Sequence, residues 1–170
     1  YSYETIKDQA KVAQFMSLLQ DQSAEYFVAF LAGIKSVLPM EEVLNLKQQD
    51  FYFDDGEVKL FNKITNEDGR TTMVYWGAML DELNMYREWL EAHDLFDACK
   101  ATANMFPELE ASRNQPLSFK KFDEIVAKTG DQIGAPFCAD CAQRIGAYEF
   151  YQQTNQSVEV LMTVLDRSEE

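Results

Sequence analysis

The sequence holds one histidine in 170 residues, which excludes any mechanism that needs two imidazoles. Cysteine is also scarce. Cys99, Cys138 and Cys141 are the only three, an odd count that excludes a disulfide framework and points to a reducing, intracellular setting. No run of about 18 apolar residues is present, so no transmembrane helix is expected. The opening YSYETIKDQAK has no apolar signal region. Its first residue is Tyr1 rather than Met, as expected of a trimmed or processed chain. Basic residues are short as well: 15 Lys and Arg against 29 Asp and Glu leave a net charge of −14. A free-standing nucleic-acid binder carries a basic face to displace counterions, and this balance works against one. It works equally against an anionic membrane surface and favours neutral or basic partners. No glycine-rich phosphate loop and no Ser-His-Asp arrangement can be traced.

What is present is an ordinary globular composition, 46% apolar and 26% charged, in a length that suits one domain. A chain of this size buries roughly 70% of its unfolded surface and needs no metal or disulfide staple. Residues 9–20 place Val12, Phe15, Met16 and Leu19 on one helical face. Residues 23–37 are apolar almost all round, capped by Ser23 and stopped by Pro39, as in a helix at the centre of a core. Residues 40–47 read as a short third helix. The period then changes. Asp54-Asp55-Gly56 and Asn66-Glu67-Asp68-Gly69 are turn signals between β-rich runs, and they predict a three-stranded antiparallel meander over about 51–76. Helices follow at 77–99, at 119–129 with Ser118 as cap and Gly130 as stop, at 137–153 and at 157–166. Residues 107–117 read as a loop, and the wider segment 100–117 as a loop or an exchange arm. The expected fold is a mostly helical α+β single domain over 1–170.

The segment IKSVLPMEEVLNLKQQDFYFDDGEVKL resembles the start of a tyrosine recombinase (phage integrase family) catalytic domain. In that family a buried helix leads to Gly-Leu-Arg-x-x-Glu, then Leu-x-Leu, then a β-meander. PLSFKKFDEIVAKTG resembles the helix before the family's His-x-x-Arg box, and RIGAYEFYQQTNQSVEVLMTVLDRS the box helix and the segment after it. The resemblance covers about residues 4–168. It implies an integrase-like fold and a site in which two arginines grip a phosphate, a lysine and histidines move protons, and a tyrosine attacks phosphorus. Carried across, the first arginine falls on Pro39 and its glutamate on Glu42. The meander lysine falls on Lys63, in NKITNEDGRT. The box histidine falls on Asp140 and its arginine on Gln143, while a register one residue later sets Arg144 in that role. The later histidine falls on Arg167, and the nucleophile falls beyond Glu170. The resemblance therefore implies a degenerate relative with no catalytic residues expected.

Other groupings have structural explanations. Cys138-Ala-Asp-Cys141 is a CxxC that could be half a zinc site or a redox pair, with Cys99 and His93 as the remaining zinc ligands. Small residues on a helix are the alternative, and no metal or other cofactor is expected. His93 suits a helix C-terminal cap. The pairs Glu41-Glu42, Asp54-Asp55, Glu67-Asp68 and Asp81-Glu82 suit turns and first helical turns. Tyr148 and Tyr151 lie on the wrong side of the box helix to serve as nucleophiles. Lys63, Arg70, Arg144 and Arg167 are the candidate DNA contacts.

The expected function is a catalytically inactive accessory or regulatory factor of a mobile element or phage, cytoplasmic, acting through protein contacts or weak DNA contacts, with a protein partner expected and DNA possible but disfavoured by charge. An acidic module or DNA mimic that binds basic partners is the first alternative. A residual DNA binder is the second, and an active recombinase the last.

Overall fold

The computed structural model describes residues 3–111 and 114–154. Helix α1 (Tyr3–Lys7) leads into α2 (Gln9–Gln22), which Asp8 caps by accepting the Lys11 N–H at 3.1 Å. Ser23 ends α2 and starts α3 (Ala24–Ser36), accepting the Glu25 N–H at 3.1 Å. α3 is the central element. Val28, Ala29, Phe30, Ala32 and Ile34 are buried on it, and it packs against α2, the short α4 (Met40–Leu44), α5 (Leu80–Ala92) and α7 (Cys141–Gln153). α6 (Phe119–Asp131) begins where Ser118 accepts the Lys121 N–H at 3.1 Å. Aromatic stacking joins distant segments: Phe15 of α2 lies 4.0 Å from Phe137, and Phe51 lies 4.2 Å from Trp76.

The three-stranded meander is corrected to two strands, β1 (Phe61–Thr65) antiparallel to β2 (Thr71–Tyr75), with Phe61 opposite Tyr75 and Thr65 opposite Thr71. Residues 51–58 contribute a single bridge, Tyr52 to Val58, around the Asp54-Asp55-Gly56 turn. The physical reason is that Phe51 and Tyr52 are adjacent and both fully buried, whereas a strand sends successive side chains to opposite faces. Their N–H groups bond back to the Gln48 carbonyl and close a 3-10 turn over Gln48–Asp50. The predicted helix at 77–99 is preceded by a 3-10 turn over Trp76–Met79 and ends at Ala92. The predicted helix at 137–153 begins later, at Cys141. The predicted helix at 157–166 and the candidate Arg167 lie outside the described residues.

The segment after α5 is tied to the core by Gln48. Its side-chain amide donates to the Leu95 carbonyl at 2.9 Å and the Asn104 carbonyl at 3.2 Å, and its oxygen accepts the Asp97 N–H at 2.7 Å. Met105 and Phe106 are fully buried beyond it. Among the described residues, no helix is long and apolar enough to cross a membrane.

Candidate functional site

The C-terminal end of α3 sets the geometry of the site. Val37 caps the helix in the left-handed conformation, φ 57° and ψ 27°, and its N–H donates to the Gly33 carbonyl at 3.0 Å. A β-branched residue there is strained, because its Cβ crowds the following carbonyl. Leu38 and Pro39 then carry the chain into α4, with Pro39 at the helix N-cap.

Opposite α4 stands the tip of the β1–β2 hairpin. Asn66 shapes it by accepting the Asp68 N–H at 3.0 Å and the Arg70 N–H at 2.8 Å, and Gly69 supplies φ 82°. Between α4 and this tip lies a cleft of about 560 Å³. Pro39 lines it, together with five carboxylates: Glu41, Glu42, Asp50, Glu67 and Asp68. No lysine or arginine is among its lining residues. Burial and the nearby Asp68 hold the Glu42 carboxyl above its usual range, while an Asn66 hydrogen bond and Arg70 act the other way. Burial likewise raises Asp50, opposed by its bond from the Lys47 N–H at 2.7 Å. The cleft attracts cations and repels phosphate.

The remaining positions from the sequence converge only in part. Gln143 of α7 is buried and donates its amide to the Val37 carbonyl at 3.2 Å, two residues before Pro39. Asp140 is exposed at the N-cap of α7, and Arg144 is exposed on its first turn. Lys63 is exposed on the outer face of β1, opposite Met73 and beside the exposed Phe61 and Tyr75, so it does not line the cleft. Arg70 offsets charge at Glu42. Glu41-Glu42 and Glu67-Asp68 read in the sequence as separate local pairs, yet both line this cleft. Their meeting in one cleft depends on tertiary packing, and no local pattern announces it.

The other candidates resolve individually. His93 caps α5, its Nδ1 lying 2.8 Å from the Trp89 carbonyl. Asp55 accepts the Glu57 N–H at 2.9 Å within its turn, and Asp81 and Glu82 occupy the first turn of α5. Cys99 is exposed and bonds Asp97 at 3.1 Å. The Sγ atoms of Cys138 and Cys141 lie 3.3 Å apart. A hydrogen bond from the Cys141 thiol lowers Cys138 to about 7 against the opposing effect of burial, while the same contact and burial push Cys141 up. Among the described residues, no three His, Cys, Asp or Glu side chains are grouped to hold a metal ion.

One buried acid was not anticipated. Glu25, in the first turn of α3, is 2% exposed, and its Oε2 has no hydrogen-bond partner. Burial, and then Glu108, push its carboxyl up to about 8, with Lys121 acting in the opposite direction.

No family model and no curated protein matches the sequence. Among solved structures, the chain is similar to the XerH site-specific recombinase bound to difH substrate, with a TM-score of 0.66 at 15% identity over 93% of this chain and 45% of that one. It is also similar to the Tn1549 transposon integrase in complex with circular intermediate DNA, with a TM-score of 0.57 at 11% identity over 93% of this chain and 55% of that one. The chain thus spans about half the length of these two solved chains. Identity this low speaks to the fold and not to the activity. The mostly helical architecture, with its small antiparallel sheet, is an integrase-like, recombinase-type fold.

Proposed function

We propose that this chain is a catalytically inactive integrase-like protein, an accessory or regulatory factor in a mobile-element or phage setting that works through protein contacts. Residues 1–170 are read as one integrase-like domain. The observation that supports this reading is the acidic cleft, lined by five carboxylates and by Pro39, the residue on which the family resemblance sets a phosphate-clamping arginine. Proline offers no side-chain donor, and carboxylates raise the energy of a bound phosphodiester. Removing one anion-stabilising donor costs on the order of 10²–10³ in rate. Asp140 and Gln143 in the box positions remove two further groups.

The same cleft favours a second reading, an acidic module or DNA mimic whose partner is a basic protein segment. A labelled arginine- and lysine-rich peptide is the direct probe. Saturable, salt-sensitive binding is expected, lost when Glu41, Glu42 and Glu67 become Gln and Asp68 becomes Asn. Binding that ignores those four changes overturns the assignment of the cleft. Covalent trapping on a nicked suicide duplex tests inactivity. No adduct is expected, and an SDS-resistant protein–DNA adduct overturns it.

A further inference from the structure

The turn that leads into α7 is held from three sides. Phe137 stacks on Phe15, the Ala139 N–H donates to Asp123 Oδ1 of α6 at 2.7 Å, and the Cys141 N–H donates to the Cys138 carbonyl at 3.0 Å. This scaffold aims two thiols at one another. Cys138 and Cys141 Sγ are 3.3 Å apart, and the Cys138 N–H donates to Cys141 Sγ at 3.2 Å. Exposure is unequal: Cys138 is partly exposed, whereas Cys141 is fully buried. Closing the gap to a covalent S–S bond takes about 1.3 Å.

We propose that Cys138 and Cys141 form a reversible dithiol–disulfide couple, a site of oxidation by low-molecular-weight disulfides at the start of α7. In the first step the Cys138 thiolate attacks one sulfur of the oxidant RSSR. A Cys138–S–S–R bond forms and RS⁻ leaves. Cys141 then loses its proton to solvent, and its sulfur attacks Cys138 Sγ and expels the second RS⁻. Two protein thiols are oxidised, one RSSR is reduced to two RSH, and two electrons pass to the oxidant. The lowered Cys138 thiol supplies thiolate near neutral pH, and the buried Cys141 resolves the mixed disulfide. The exposed Cys99 has no such partner thiol, and its hydrogen bond to Asp97 pushes it the other way. Cys141 lies two residues before Gln143 on α7, the helix that packs against α3.

The test incubates the full chain at pH 7 with mixtures of reduced and oxidised glutathione, quenches with an alkylating agent and maps the thiols by peptide mass spectrometry. The wild type is expected to accumulate the Cys138–Cys141 disulfide. Cys141→Ala is expected to hold at least about tenfold more Cys138–glutathione adduct than the wild type, because nothing resolves it. In the reduced wild type, Cys138 is expected to alkylate several-fold faster than Cys99. Two free thiols at a poise that oxidises reference dithiols would overturn the proposal. So would a wild-type glutathione adduct as abundant as that of Cys141→Ala.

Discussion

Gln143 donates its side-chain amide to the carbonyl of Val37, 3.2 Å away and 106 residues earlier in the chain. That bond joins α7 to the left-handed turn that delivers Pro39 to the acidic cleft. The turn itself is strained, because a buried valine occupies a backbone conformation suited to glycine.

The strain predicts an inverted order of substitution. Val37→Ala and Val37→Gly both lose the packing of Val37 against Ala147 and Phe150. Only glycine relieves the left-handed backbone. Val37→Gly should therefore be more stable than Val37→Ala by about 1 kcal/mol, the reverse of the order in a helix interior. Urea denaturation of the two variants reads the difference, and alanine coming out ahead would show that the turn is not held at positive φ.

Glu25 predicts a pH dependence. Its folded value of about 8 lies above the ordinary 4.5, so the folded state favours the protonated acid. Its contribution to stability is full below about pH 4.5 and is lost as pH rises towards 8. Glu25→Gln keeps a neutral side chain throughout. The variant should gain a few kcal/mol on the wild type by pH 8 and match it near pH 4.5. Parallel melting curves across that range check it, and a difference that does not change with pH contradicts it.

Gly146 predicts where α3 and α7 tolerate no added atom. A Cβ at this position would overlap the Ile34 carbonyl oxygen and crowd Val37 Cγ2 at 3.1 Å. Glycine to alanine in an exposed helix gains about 1 kcal/mol. Here the backbone clash dominates, and Gly146→Ala should instead cost about 3 kcal/mol. A denaturation midpoint equal to or above that of the wild type would mean the two helices do not approach so closely.

Local chemistry made part of this molecule legible. Ser23 and Ser118 cap helices as their positions imply, His93 closes α5, and Asn66 to Gly69 form the hairpin tip. The central burial of α3 follows from its unbroken apolar surface. What escaped depends on contacts between distant residues. Phe51 and Tyr52 look like strand residues until both are drawn into the core, Tyr52 donating to the Leu83 carbonyl at 2.7 Å. Trp76 donates to the Asp50 carbonyl at 2.9 Å and delays the start of α5. Glu25 reads as an ordinary first-turn acid, because nothing near it in sequence foretells that it will be covered and set close to Glu108. The sulfurs of the CxxC are a further case: their spacing was visible, but their facing geometry and unequal burial were not.

The central claim is that the cleft beside Pro39 is closed to phosphate by its own carboxylates. Fluorescence anisotropy of labelled duplex DNA, at low and then physiological salt, tests it on the wild type and on Glu41→Lys/Glu67→Lys/Asp68→Lys. The wild type should show no saturable binding even at low salt. The triple variant should bind at least about tenfold more tightly, with an affinity that falls as salt rises. Wild-type binding that weakens steeply with salt, and is lost in Lys63→Ala and Arg144→Ala, would contradict the account and assign the chain a surviving DNA surface.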